Sequence, residues 1–144
     1  MIPDFTAAGC LPPGVHSATR KEFEDRFVVF DVSDRRFRLY EQLGRMLDEA
    51  GKSGIVKRVV VVGSFVTAEP GPNDFDCIFV LDASLVGRKL RPFEYNLVSR
   101  KAARRIFGGD VVSAIEGSKA LEVYLEFFQT SRDGERVGVL EILL

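Results

Sequence analysis

The sequence predicts an α+β domain in which a small mixed sheet is covered by helices. Two observations support this class: short apolar runs typical of strands, and amphipathic segments typical of helices, both within 144 residues. The predicted order is helix, helix, strand, strand, helix, strand, helix, strand, which suits a sheet covered by helices on one face. A chain of this length fits a single domain with one hydrophobic core.

The first 18 residues are predicted to form an irregular arm, and residues 19–144 a single domain. Proline and glycine recur in the arm and disfavour regular structure there. The domain then opens with a capping box, Thr19 with Glu22, which predicts the start of a helix. This helix presents an aromatic stripe at positions i, i+4 and i+7: Phe23, Phe27 and Phe30.

A second amphipathic helix is predicted over residues 34–50, with Gly51 as its stop. Two strands follow. The first, Val56–Val62, is a continuous apolar run of the kind that is buried on both faces, and the second is Phe75–Leu81.

The last third of the chain predicts four more elements. Residues 93–107 are expected to be helical and residues 110–116 to form a strand. Ser118 is placed to cap the next helix, whose apolar residues recur at helical spacing. A turn at residues 133–134 then leads into a final strand over 136–144.

Composition limits the functional classes. Hydrophobic residues make up 46% of the chain and charged residues 28%, which is ordinary for a soluble globular protein. A formal net charge of −1 gives no overall attraction to nucleic acid, so any such contact must depend on a local patch. The N-terminus lacks the features of a signal peptide, and no apolar run approaches the roughly 20 residues of a membrane span. We therefore expect a cytoplasmic protein with no membrane partner.

Two acidic residues stand out in the second predicted strand. Asp74 and Asp76 are two positions apart, so their side chains project from the same face of the strand, while Phe75 and Cys77 point the other way into the core. A buried charge without a partner is costly, so this face either opens to water or holds something positive. Two carboxylates at this spacing can converge on divalent cations such as Mg²⁺, which prefers oxygen ligands.

The preceding strand ends in Gly63-Ser64. Glycine lets the backbone approach a ligand closely, and the following amides with the serine hydroxyl can hold phosphate oxygens. A phosphate cradle beside a pair of metal-binding carboxylates is what phosphoryl or nucleotidyl transfer requires.

These residues carry a resemblance to a known superfamily. Gly63-Ser64, nine residues, and then Asp74-Phe75-Asp76 within an apolar strand resembles the signature of the nucleotidyltransferases typified by DNA polymerase beta. The chain is most similar to the minimal nucleotidyltransferases, compact domains often encoded beside toxin partners in toxin–antitoxin pairs. The "LPPGVH" segment with "GSFVT" and "PNDFD" is also similar to a bacterial nucleotidyltransferase-like branch. The motif covers residues 63–76, and the order of elements extends the resemblance over roughly residues 35–116.

The resemblance implies a nucleotidyltransferase fold and a set of residue roles. Asp74 and Asp76 would bind the metal, Mg²⁺ or Mn²⁺, and Gly63 and Ser64 would hold the triphosphate of an NTP substrate, with ATP expected. The superfamily's third carboxylate lies on a neighbouring strand, where Asp110 is the first choice and Glu116 the reserve. The implied reaction transfers an NMP to a hydroxyl on a protein, such as a toxin-like partner, or on an RNA 3′ end.

One departure leaves two alternatives open. Minimal members often place a basic or small residue after Gly-Ser, whereas this chain has Phe65. A replacement cation could come from the basic run between residues 87 and 106: Arg88, Lys89, Arg91, Arg100, Lys101, Arg104 and Arg105.

The first alternative to an enzyme is a catalytically inactive relative that acts as a binding partner or antitoxin-like regulator. The second is an RNA-binding module that uses the basic run. The sequence does not name the acceptor or the preferred base, and it leaves a homo-oligomer open.

Overall fold

The computed structural model describes residues 1–29 and 34–144, which form five α-helices and a five-stranded mixed sheet. The strands are β1 Gly14–Thr19, β2 Val56–Val62, β3 Asp76–Leu81, β4 Asp110–Ile115 and β5 Gly138–Leu143. The helices are α1 Arg20–Phe27, α2 Arg35–Ser53, α3 Pro92–Val98, α4 Arg100–Phe107 and α5 Lys119–Phe128. The α+β class is confirmed. Phe30, the last member of the predicted aromatic stripe, lies outside the described residues.

The strands are arranged in the order β1-β5-β2-β3-β4. The outer pairs, β1 with β5 and β3 with β4, run parallel, and β2 is antiparallel to both of its neighbours. The strand β2 is therefore central, and Val59 through Val62 have no exposed surface, as the apolar run predicts. Helices α3 and α4 form the crossover between the parallel strands β3 and β4.

Helices cover both faces of the sheet, so the prediction of a single covered face is wrong. Helices α1 to α4 contribute to a main core that includes Phe23, Leu43 and Phe79, whereas α5 packs on the other face in a second cluster with Ile78 and Val80. The reason is the strand β3, in which successive apolar side chains alternate between the two faces and both sets must be buried.

The predicted irregular arm is wrong for its last residues. Gly14–Thr19 form the edge strand β1, which pairs in parallel with β5. Only Ala18 of this strand is fully buried, so the sequence carries almost no apolar alternation there. The strand forms because β5 offers it a partner, which is a contact between distant parts of the chain.

Two helix boundaries also differ from the prediction. Helix α2 continues past Gly51 and ends at Ser53, and the next residue, Gly54, caps it with a left-handed backbone (φ 70°). The predicted helix over 93–107 is divided at Ser99, whose backbone is extended and whose side chain accepts a hydrogen bond from the Ala102 amide. Serine favours such N-cap positions over helix interiors, because its side chain competes for backbone hydrogen bonds.

The two predicted caps are confirmed. The Thr19 hydroxyl accepts from the Glu22 amide while the Glu22 carboxylate accepts from the Thr19 amide, and Ser118 caps α5. Within residues 1–29 and 34–144, no helix combines the length and the apolar character needed to cross a membrane.

A fully buried arginine, Arg36, ties helix α2 to the segment that follows β2. Its guanidinium donates, over 2.6 to 3.5 Å, to backbone carbonyls of five residues: Phe27, Ser64, Phe65, Thr67 and Glu69. Four of these carbonyls belong to residues 64–69, so a single side chain organises the turn that begins at Gly63. A buried charge is tolerated only when its donors are matched in this way.

The neighbouring contacts extend this connection. The Arg36 guanidinium carbon lies 5.0 Å from the centroid of the buried Phe65 ring, and Phe65 stacks on Phe23 at 5.7 Å with an interplanar angle of 9°. Arg35 donates to the carbonyls of Pro72 and Asn73, just before the acidic pair. The first turn of α2 thus holds both ends of the connection between β2 and β3.

Replacing Arg36 should therefore destabilise the fold strongly. We expect Arg36→Met to lower the free energy of unfolding by about 3–5 kcal/mol, because it leaves buried carbonyls without donors. Arg36→Lys should recover only part of the loss, since an ammonium has three donors and no planar fork. The measurement is urea denaturation followed by circular dichroism.

The matched control is Arg38→Met, two positions further on the same helix. Arg38 is exposed and makes a surface ion pair with Asp34 at 2.6 Å. Its removal should cost less than about 0.5 kcal/mol. Equal losses in the Arg36 and Arg38 variants would contradict the organising role of Arg36.

Candidate active site

Three carboxylates meet at one end of the sheet. Asp76 is the first residue of β3 and pairs in register with Asp110, the first residue of the parallel strand β4. Asp74 lies two residues before Asp76, and the two side chains line the same pocket. Phe75 and Cys77 between and beyond them are buried in the main core, as their alternation predicts.

Gly63 makes the closest approach to this cluster. It follows the last residue of β2, Val62, which pairs with Asp76. Its backbone is left-handed (φ 74°), and a Cβ built on it would lie 2.8 Å from Asp76 Oδ2. Any larger residue would be strained and would push against the carboxylate. Because Gly63 has no side chain, the backbone of the turn can lie directly against the Asp76 carboxylate.

A pocket of about 1110 Å³ opens beside these residues. One wall contains Gly63, Ser64, Asp74 and Asp76, which brings four of the five predicted site residues together. A second group of lining residues was not predicted from the sequence. It comprises the C-terminal end of α5 and the segment that leads to β5: Glu126, Phe127, Phe128, Thr130, Ser131, Arg132, Val137 and Gly138.

Two arginines of helix α4 neutralise the outer carboxylates. Arg100 binds Asp110 through two hydrogen bonds of 2.6 and 2.8 Å, and Arg104 binds Asp74 Oδ2 at 2.8 Å. These carboxylates raise the pKa of both guanidinium groups. The sequence offered only the basic run as a signal, and the two partners could not be chosen from it.

Asp76 lies between these two ion pairs. Burial, followed by the negative charges of Asp74 and Asp110, raises the pKa of its carboxyl to about 6, although Arg104 and Arg100 act in the opposite direction. With all three acids ionised, the cluster has three negative charges against two positive ones. The site therefore favours one more positive charge, either a proton or a cation.

The reserve candidate for the third carboxylate is at the wrong end of the sheet. Glu116 follows β4 and pairs with Arg58 at 3.1 Å, and its amide donates to Leu81 at the far end of β3. Five residues of strand, about 16 Å, separate that end from Asp76. Asp110, not Glu116, is the acid that lies beside Asp76.

The three aspartates do not form a preformed metal-binding site. In the part of the chain that the structure describes, no three His, Cys, Asp or Glu side chains are grouped as a set that could hold a metal ion. Asp74 and Asp110 direct carboxylate oxygens towards the guanidinium groups of Arg104 and Arg100, and not towards a shared point between the three aspartates.

The residue after Ser64 has a structural task. Phe65 is fully buried under Arg36, so it cannot reach a ligand in the pocket. Ser64 itself is partly exposed and lines the pocket. The pocket also has a partly exposed cysteine, Cys10, held beside the turn by a β-bridge to Thr67.

Comparison with known proteins gives a family but no activity. The model of a family of unknown function, DUF6932, matches residues 3–143. The chain belongs to that family. Neither a curated protein nor a solved structure gives a significant match to this DUF6932 chain. Its function therefore has to be argued from the site.

The raised pKa of Asp76 predicts how stability changes with pH in the metal-free protein. The folded chain holds the Asp76 proton more tightly than the unfolded chain, whose aspartate pKa is near 3.8. The stabilisation from neutral Asp76 is complete below about pH 4 and is lost as the pH rises through about 6. We expect Asp76→Asn to be more stable than wild type at pH 7.5 in EDTA by about 1 kcal/mol, after a discount for solvent screening.

The control is Asp82→Asn at the other end of β3. Hydrogen bonds from Ser84 lower the pKa of Asp82, so this substitution should give no stabilisation at pH 7.5. Urea denaturation at pH 4.5 and pH 7.5 measures both variants. If Asp76→Asn is no more stable than wild type at pH 7.5, then the negative charge of Asp76 does not destabilise the folded protein and the prediction is wrong.

Proposed function

We propose that this chain is a metal-dependent nucleotidyltransferase that moves an NMP from an NTP, ATP being the expected substrate, to a hydroxyl on a protein or RNA acceptor. The observation that carries the proposal is the meeting of Asp74, Asp76 and Asp110 with the Gly63-Ser64 turn. Three carboxylates beside a glycine turn and an open pocket are the parts that this chemistry needs. The resemblance of residues 63–76 to the nucleotidyltransferase signature supports the same reading.

The donor set fits a hard divalent cation. Asp74 and Asp76 supply carboxylate oxygens, the ligands that Mg²⁺ and Mn²⁺ prefer. The cluster already attracts positive charge, because Arg104 binds Asp74 and Arg100 binds Asp110. When bound there, a divalent cation supplies polarisation of the phosphoryl group and neutralises the pyrophosphate that leaves.

The remaining roles belong to the chain's own residues. The Ser64 hydroxyl and the amides of its turn orient the phosphates from one wall of the pocket. A carboxylate oxygen of Asp110 accepts the proton of the acceptor hydroxyl as it attacks the α-phosphate. The proposal places this activity in the cytoplasm, where NTPs and Mg²⁺ are present.

The lining residues from the end of α5 support a nucleotide substrate. The Phe127 side chain is 69% exposed and forms an edge-to-face pair with Phe128 at 5.0 Å. An exposed ring on a pocket wall can stack on a nucleobase, and a cavity of about 1110 Å³ has room for a nucleotide.

Nucleotide binding should depend on a divalent cation. Acidic residues outnumber basic ones in the pocket lining, Glu69, Asp74, Asp76 and Glu126 against Arg132, so a triphosphate is repelled until a cation intervenes. We expect little ATP binding in EDTA. With Mg²⁺-ATP at about 100 times its Kd, stability should rise by about 2.7 kcal/mol, or roughly 5 °C or more in Tm. Thermal-shift measurements give this comparison directly.

Asp76→Asn should abolish the Mg²⁺-dependent shift, whereas Asp82→Asn, the same change at the opposite end of β3, should keep it. Transfer is then tested with α-³²P-labelled ATP and candidate acceptors, an RNA 3′ end and a toxin-like partner protein, with the label expected on the acceptor only when Asp76 is present. Equal ligand-induced shifts in wild type and Asp76→Asn would defeat the metal-binding role.

Stacking on Phe127 can be tested separately. We expect Phe127→Ala to weaken Mg²⁺-ATP binding about tenfold, because stacking of one base on an aromatic ring contributes roughly 1–3 kcal/mol. The control is Val123→Ala, one turn earlier on α5, exposed and outside the pocket lining. Isothermal titration calorimetry measures both, and an unchanged Kd for Phe127→Ala would remove this ring from the nucleotide site.

The ion pairs of Arg100 and Arg104 favour a second candidate, an inactive relative that acts as a binding partner or antitoxin-like regulator. In such a protein the arginines would permanently fill the place of the metal. Nucleotide binding without label transfer to any acceptor would select this candidate. The RNA-binding module stays a prediction, since two arginines of the basic run, Arg100 and Arg104, face the acidic cluster in the structure.

A further inference from the structure

We propose that Arg100 and Arg104 are exchangeable cations of the active site. Without metal they neutralise Asp110 and Asp74, and when a divalent cation takes the carboxylates they transfer their hydrogen bonds to the phosphates of the nucleotide. This inference rests on the proposed function and names the residues that replace the basic group missing after Ser64.

In both ion pairs, the arginine side chain is more exposed to solvent than the aspartate side chain. The side chains of Arg100 and Arg104 are 67% and 58% exposed, whereas those of Asp110 and Asp74 are 27% and 28% exposed. Asp110 is the first residue of β4, and Asp74, two residues before β3, accepts a hydrogen bond from the Phe75 amide. The more exposed guanidinium groups reach these carboxylates from the solvent side. An exposed arginine leaves such a pair at little cost, because water solvates the released charge.

Helix α4 is suited to release its side chains without moving. Arg100 and Arg104 are one turn apart, so they project from the same side of the helix. Ala103 and Phe107 follow Arg100 at positions i+3 and i+7, so the arginines border the face of α4 that packs into the main core, and Ala102 is also buried. The backbone stays in place while two long side chains change partners.

The count of charges drives the exchange. Three carboxylates face two guanidinium groups, and one Mg²⁺ adds two positive charges, so the metal-bound cluster has four positive charges against three negative ones. A triphosphate brings about four negative charges and supplies new partners for the arginines. Guanidinium groups bind phosphate oxygens through the same two-pronged geometry that Arg100 uses on Asp110.

Two other arginines, Arg88 and Arg36, are engaged elsewhere. Among the described residues, Arg100 and Arg104 are the basic side chains in ion-pair contact with Asp110 or Asp74. Arg88 pairs with Glu94 at 2.8 Å, and Arg36 is buried beneath the turn.

The exchange predicts that removing the arginines changes two affinities in opposite directions, the affinity for metal alone and the affinity for the metal–nucleotide complex. Removing the arginines should strengthen the binding of metal alone, because the cation no longer competes with them. It should weaken the binding of the metal–nucleotide complex, because two phosphate contacts are lost. We expect Arg100→Gln/Arg104→Gln to bind Mn²⁺ alone about tenfold more tightly and Mn²⁺-ATP about tenfold more weakly than wild type.

The measurements are electron paramagnetic resonance titration with Mn²⁺ alone and calorimetric titration with Mn²⁺-ATP. The matched control is Arg105→Gln, an exposed arginine of the same helix, which should leave both affinities unchanged. Arg100→Lys/Arg104→Lys should restore part of both effects, since lysine keeps the charge but loses the fork. Circular dichroism checks that each variant is folded.

Opposite shifts in the double variant, absent from the Arg105 control, support the exchange. Any other pattern overturns it, including two unchanged affinities or a fall in both. The outcome is separate from that of the proposed function. Opposite shifts without label transfer would retain the exchange and reject the enzyme, whereas transfer with unchanged affinities would reject the exchange alone.

Discussion

The buried guanidinium of Arg36 is the constraint on which the site depends. It gathers the carbonyls of the turn after β2 and so fixes Gly63 and Ser64 relative to helix α2. Because Gly63 lies against Asp76, the same interaction sets how closely the turn approaches the acidic cluster. Phe65, which stands where the resemblance leads one to expect a basic or small residue, packs its ring against this arginine instead.

The second constraint on the site is its charge, because three aspartates face only two arginines. Three aspartates are brought together by strand register and by one short connection, and the charges of Asp74 and Asp110 add to the cost of ionising Asp76. The arginines of α4 relieve part of this cost from the exposed side. Under the proposed function, such a cluster folds without metal and still accepts a cation when the nucleotide arrives.

Local patterns were sufficient for much of the fold. The strands β2, β3 and β4, the capping box at Thr19 and the cap at Ser118 follow from short-range rules, and the alternation around Phe75 correctly separated the acidic from the core side chains. The failures share a cause. Pairing of β1 with β5, the carbonyl contacts of Arg36 and the partners of the α4 arginines all join residues far apart in the chain. Side-chain chemistry limits such contacts but does not choose among them.

The position of β5 has a consequence for how the chain folds. It is the last strand in the sequence, yet it lies between β1 and β2, and Ser17 of β1 hydrogen-bonds to Glu141 of β5 across 124 residues. Contacts of this range form slowly, because the loop between them must close first. During synthesis β1 has no partner until β5 has left the ribosome, and Val137 and Gly138 reach the pocket only then. The pocket lining is therefore incomplete until β5 joins the sheet, although Gly63, Ser64, Asp74 and Asp76 precede β5 in the chain.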